Sequence, residues 1–179
     1  FGGDTLTYYY PVEQLIANGE YYGMCRMPGI LPIYLPLRLL FSEVIAHQII
    51  IILQLIFSSI ATLLLAILST RVFQTQRAFV ICILLSCITT FISIRDIYLL
   101  SDSFCISSLI TCIFFLSEYL SGKRKMMLIY AGIFLAWSIF LRQITLLAIP
   151  IVGLFLLVHF KRELLKTLTA CLILMLPIL

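Results

Sequence analysis

Four charged side chains stand out in an otherwise apolar chain: Asp4, Arg26, Asp102 and Arg142. Asp4 follows Gly2-Gly3, a pair that permits close backbone approach. It would sit where a preceding span leaves the membrane, which makes it the first candidate for chemistry on that face. The same aspartate would equally cap the helix that follows it. Arg26 precedes a Pro28-Gly29 turn, where its planar fork suits a phosphate by holding two oxygens at once, or snorkels to headgroups. Asp102 lies between Ser101 and Ser103 at the head of an apolar run, where it reads as an N-cap. Arg142 interrupts the long apolar stretch from Met126 to Phe160. An exposed charge at membrane depth costs ~2.5–3.5 kcal/mol, so Arg142 must reach an interface, a cavity or an anionic partner. Arg95-Asp96 reads as a local ion pair, and His47 and His159, isolated in sequence, read as structural.

Hydrophobic residues make up 63% of the 179 positions and charged residues 11%, with a mean hydropathy of +1.16. A soluble domain typically carries ~25% charged residues, so this composition excludes a soluble globular enzyme. It excludes disorder as well, which needs low hydrophobicity and high net charge. A multi-pass membrane protein remains. The start at Phe1 and the end at Leu179 within an apolar run read as an internal piece of a longer membrane protein. The six cysteines form no Cys-x-x-Cys pair, and five sit in apolar runs, which points to small packing residues over a disulfide framework or a zinc site.

A spanning helix needs ~20 mostly apolar residues. The expected spans are 44–70, 78–94, 103–120, 126–141, 144–160 and a truncated 167–179. Met126 to Phe160 as one helix would measure ~52 Å, far beyond a ~30 Å hydrocarbon core, so a fold back at Arg142 is expected. The basic residues support that division. Arg71, Arg77, Lys123, Arg124, Lys125, Lys161, Arg162 and Lys166, with every lysine among them, fall on one side. The positive-inside rule makes that side cytoplasmic. The net charge of +4 is thus a topology signal, with no nucleic-acid patch in it. Asp4, Glu13, Glu20, Glu43, Asp96 and Asp102 fall on the other side, against Glu118 and Glu163 inside. Ionisable chemistry is concentrated on the outer face.

Residues 1–43 form the longest outer loop. Tyr8, Val12, Leu15 and Ile16 share one face at helical spacing, and Asn18-Gly19 is a C-terminal stop. Pro11 interrupts this pattern and is a candidate start for the helix. An amphipathic helix lying in the interface is expected, with its tyrosines at headgroup level. Ile30 to Leu40 is apolar but holds Pro32, Pro36 and Arg38, which suits a short interfacial or re-entrant piece. The expected fold class is therefore all-α: a polytopic transmembrane helix bundle (44–179) with interfacial amphipathic helices in the first outer loop.

The order of these features resembles a known family. Gly3-Asp4 with Tyr8 to Gly19, then Arg26-Met27-Pro28-Gly29, Leu100-Ser101-Asp102, and Ala131-Gly132 through Arg142 are similar to the N-terminal membrane half of GT-C glycosyltransferases that use polyprenyl-phosphate sugars. Within these, the protein O-mannosyltransferase and aminoarabinose-transferase relatives of glycosyltransferase family 39 are most similar. The resemblance implies a GT-C-like bundle in a cytoplasmic membrane, bacterial by expectation, with the active face periplasmic or extracellular. It implies Asp4 as catalytic base toward the acceptor, and Arg26 first and Arg142 second as the arginines on the lipid phosphate. Asp102 would position acceptor or sugar. The implied partners are a polyprenyl-phosphate sugar donor, a lipid, glycan or protein acceptor, and the membrane lipids. Many relatives carry Asp-Glu in the first loop, whereas Thr5 follows Asp4 here, so no metal ligands are assigned and a divalent metal stays open. A transporter or flippase-like carrier is the alternative. A carrier would place ionisable residues near the bilayer midplane, often on broken helices, whereas these spans are nearly free of charge.

Overall fold

The computed structural model describes residues 5–21, 28–88, 101–122, 126–159 and 169. The described residues are helical, with no strand among them. The helices are α1 (Thr5–Asn18), α2 (Leu31–Leu40), α3 (Glu43–Phe73), α4 (Gln76–Ile88), α5 (Ser101–Leu120), α6 (Met126–Leu141) and α7 (Ala148–His159), with 3-10 turns at Pro28–Ile30 and Gln143–Leu147. The expected loop with Arg95 and Asp96, and the truncated span 167–179 apart from Thr169, lie outside the described residues.

Two of these helices, α3 with 31 residues and α5 with 20, are long and apolar enough to cross a membrane. At 1.5 Å per residue α3 rises about 46 Å, more than the ~30 Å that a hydrocarbon core requires. By contrast α6, with 16 residues, rises only about 24 Å. Its length is limited by the break at Arg142, whose extended backbone (φ −148°, ψ 122°) ends the helix and opens the next turn.

The outer surface is more apolar than that of a water-soluble domain, and two apolar clusters are buried inside. The outer surfaces of α3, α4 and α7 present Ile52, Ile56, Ile60, Leu84, Ile151 and Leu154, all exposed. The buried face of α3 is Ala46, Ile50, Gln54, Ser58, Ala61 and Ala66, all but Ile50 small or polar, repeating every three to five positions. Opposite it, α5 buries Ser101, Cys105, Ser108, Thr111 and Cys112. Hydrophobic burial cannot drive helices together in lipid, so close approach of small residues and interhelical polar contacts take its place. An apolar exterior with small and polar residues along the α3–α5 seam fits an apolar solvent. Every described residue of α4 is at least partly exposed, and this helix packs on α3, which it follows through the two-residue turn Gln74-Thr75 with Gln74 in the left-handed region (φ 53°). Ser69 Oγ donates to Ala78 O (3.2 Å) across that turn.

Helices α3 and α5 run parallel and pack on each other, and α6 returns antiparallel along α5. Phe57 of α3, Phe104 of α5, and Phe134 and Trp137 of α6 join the three, with centroids of Phe57 and Phe104 each 5.6 Å from Trp137. The chain then folds back at Arg142, so that Leu156 of α7 is buried with Cys112, Leu128 and Leu135. As a result one end of the bundle gathers the start of α3, the start of α5 and the end of α6. The opposite end is tied by an ion pair between Arg71 and Glu118, with the Arg71 guanidinium 5.3 Å above the Phe114 ring.

The first loop differs from expectation in two details. Helix α1 runs straight through Pro11, which is buried, so the proline is accommodated inside the helix and does not start it. Its inward face is Tyr9, Val12 and half-buried Glu13, while Ile16 is exposed. The helix is rotated from the expected apolar stripe because Glu13 turns toward partners on α2. Asn18-Gly19 does end it: Gly19 takes φ +74° and its N–H donates to Leu15 O at 3.0 Å.

Candidate functional site

Asp102 falls within the first turn of α5 and is buried, which excludes it as the N-cap of a helix starting after it. Its carboxylate pairs with the Arg142 guanidinium, brought alongside because α5 begins where α6 ends. Asp102 keeps 8% of its side-chain surface accessible and Arg142 37%, so the pair has a buried acid and a cation that still meets the outside. Arg142 is held by its own backbone as well. Its N–H donates to Ser138 O (2.9 Å), and its carbonyl accepts from Thr145 N (3.1 Å) and Thr145 Oγ1 (2.6 Å). Among the described residues the buried Arg142 Nε has no hydrogen-bond partner.

The turn Pro28–Ile30 of the first loop sits on the same end of α6. Trp137 Nε1 donates to Gly29 O (3.1 Å), and a Cβ on Gly29 would collide with the Phe140 carbonyl, so only glycine allows this approach. Ile30, Phe104, Cys105 and Leu141 share one buried cluster beneath. The structure thus brings Asp102 and Arg142 together, next to the first-loop turn. Asp4 and Arg26 lie outside the described residues.

A second polar cluster, unmarked in the sequence analysis, fastens the first loop to α3. Tyr34 Oη donates to Glu13 Oε1 (2.6 Å) and lies 3.1 Å from His47 Nε2. Arg38 Nε donates to the same Glu13 oxygen at 2.7 Å. The Tyr34 and His47 rings stack with planes 5° apart, and Tyr9 meets both edge-on. Burial first, and the neighbouring Glu13 carboxylate second, push the Tyr34 phenol up, so it stays protonated and available as a donor. The hydrogen bond to Glu13 above all holds the Arg38 guanidinium charged. His47, isolated in sequence, is therefore part of a four-residue cluster joining α1, α2 and α3. One signal was present: Tyr34 and Arg38 are four apart on α2, hence on one helical face.

Among the described residues no three His, Cys, Asp or Glu side chains converge as metal ligands. The described cysteines, Cys82, Cys87, Cys105 and Cys112, are free thiols, and Cys105 Sγ donates to Ser138 O at 3.7 Å. Two apolar cavities lie elsewhere. One of about 590 Å³ is enclosed by α3, α5 and α7, and one of about 630 Å³ by α3 and α4.

Compared with family models, curated proteins and solved structures, the chain gives no match. Function has to be argued from the geometry and from the sequence pattern.

Proposed function

We propose that the chain is part of a polytopic integral-membrane glycosyltransferase of the GT-C type, which moves a sugar from a polyprenyl-phosphate donor to an acceptor on the outer face, with inversion. The observation that supports this reading best is the Asp102–Arg142 pair at the end of the bundle where the first-loop turn rests on α6. In this mechanism Asp4 takes the proton from the acceptor nucleophile, which attacks the anomeric carbon as the lipid phosphate leaves. Cationic forks stabilise the charge growing on that phosphate. Arg142 is already partly neutralised by Asp102, so Arg26 takes the larger share and Arg142 the smaller. Asp102 acts through Arg142 by fixing its orientation.

The shorter helices α6 and α7 belong to this polytopic reading as neighbours that shelter the α3–α5 pair. Their apolar outer faces suit lipid, and their short length suits local thinning of the bilayer. A carrier is less well supported. The polar groups near mid-span, Gln54, Ser58, Ser108 and Thr111, are packed between helices and buried instead of lining a passage.

The test supplies membranes containing the protein with labelled polyprenyl-phosphate sugars. It compares wild type with Asp4→Asn and Arg142→Lys at equal protein level. We expect transfer by wild type, its loss in Asp4→Asn, and a fall of about 10-fold or more in Arg142→Lys, which keeps the charge but loses the fork. Equal transfer by Asp4→Asn removes Asp4 as base. Absence of transfer from any donor moves the carrier reading ahead.

A further inference from the structure

The groove between α3 and α4 is unused by the proposed chemistry and lies at the end of the bundle away from Asp102 and Arg142. Its walls are Leu65 and Phe73 on α3 and Ile81 and Leu85 on α4, and its volume is about 630 Å³. Pockets for small ligands span ~300–1,000 Å³, so the space suits a chain of ordinary ligand size. From Leu65 to Phe73 it follows α3 for roughly 12 Å at 1.5 Å per residue, the direction in which an acyl chain enters a leaflet. Its walls are mostly apolar; Ser69, Thr75 and Arg77 stand at one mouth, and Ser86, further along α4, turns its hydroxyl onto Cys82 O of its own helix.

That mouth is cationic. Two arginines flank the α3–α4 turn, and they differ in their engagement. Arg71 is committed to Glu118 and to the Phe114 ring. The Arg77 guanidinium is exposed and makes no ion pair among the described residues. Its backbone N–H lies 3.4 Å from Thr75 Oγ1, within a turn held by Ser69 Oγ to Ala78 O. A free guanidinium at the lip of a lipid-facing apolar groove meets the one class of molecule that joins a hydrocarbon chain to an anionic head.

We propose that the α3–α4 groove binds one anionic glycerophospholipid from the leaflet at the Arg77 end, with an acyl chain between the helices and the headgroup phosphate on Arg77. The distribution of basic residues makes that leaflet the cytoplasmic one. The site rests on the membrane placement of the chain and is independent of sugar transfer. Because α4 buries no residue of its own, a bound chain would supply the packing that this helix lacks.

The test uses the protein purified in mild detergent and titrated with dioleoyl-phosphatidylglycerol or dioleoyl-phosphatidylcholine, with bound lipid read by native mass spectrometry. Wild type should retain the anionic lipid about fivefold better, the worth of one basic residue beside an anionic headgroup. Arg77→Gln should erase the preference and Arg77→Lys should keep it. Ile81→Trp, which fills the groove without touching the charge, should lower retention of both lipids. Equal retention of the two lipids by wild type overturns the proposal. So does a preference that survives Arg77→Gln, unchanged retention in Ile81→Trp, or competition by soluble glycerol phosphate, which has the head without the chains. Monodisperse elution of each variant shows that it is folded. Alkaline carbonate extraction separates the two levels of failure. Release of the protein from membranes overturns the membrane placement and the site with it, whereas a membrane-retained protein without lipid preference overturns the site alone.

Discussion

At the residue scale the Asp102–Arg142 pair makes a direct prediction about stability. Arg142→Met leaves a buried carboxylate without its cation. Losing one partner of a fully buried pair costs ~3–5 kcal/mol, and water at the part-exposed arginine reduces this to about 2 kcal/mol. Asp102→Asn combined with Arg142→Met should recover more than half of that loss in thermal unfolding in detergent. Strictly additive losses would show that the two side chains are not coupled. Both residues were legible as exceptional, because each is a charge beside an apolar run, but their partnership was not. Pairing depends on α5 starting where α6 ends, a coincidence in space that local sequence does not encode. The Glu13–Tyr34–Arg38–His47 cluster was missed for the same reason. Its members lie on three helices, and only the Tyr34–Arg38 spacing was visible beforehand.

At the element scale two contacts hold the architecture and each can be broken by one methyl or isobutyl group. Gly29→Ala forces the first-loop turn off the Phe140 carbonyl, at an expected cost of about 1–3 kcal/mol. Trp137, the single tryptophan of the chain, donates to Gly29 O and reports the event directly, with emission shifting as that bond is lost. Emission and melting identical to wild type would place the turn elsewhere. The α3–α5 seam predicts an asymmetry between adjacent residues. Ala61 is buried and Ile60 faces outward at 47% exposure, so Ala61→Leu should lower stability by about 1–3 kcal/mol while Ile60→Leu stays within about 0.5 kcal/mol. Equal effects in a detergent melt would mean that α3 is rotated. The helices themselves were legible from length and apolar runs, and Asn18-Gly19 marked a true end. The face that α1 buries was not, because Glu13 found partners on α2 that outweigh the apolar stripe ending at Ile16.

At the scale of the whole molecule the two ends are chemically distinct. The first loop, Asp102 and Arg142 gather at one, and Arg71, Arg77 and Glu118 at the other. Impermeant maleimide should label Leu39→Cys from outside intact cells and Gln74→Cys only after the membrane is opened, each in a cysteine-depleted background. Both positions are exposed, so access depends on side alone. Labelling of both from the same side would overturn the assigned orientation. By itself the sequence determined the helical class and its long apolar runs, because hydropathy and run length are properties of local segments. Only the tertiary structure decided that Arg142 closes on Asp102, that Gly29 lies against Phe140, and that Tyr34 joins Glu13 to His47. Those contacts are set by which helices run parallel and where each begins. That order follows from small-residue packing between helices distant in sequence, which no single segment specifies.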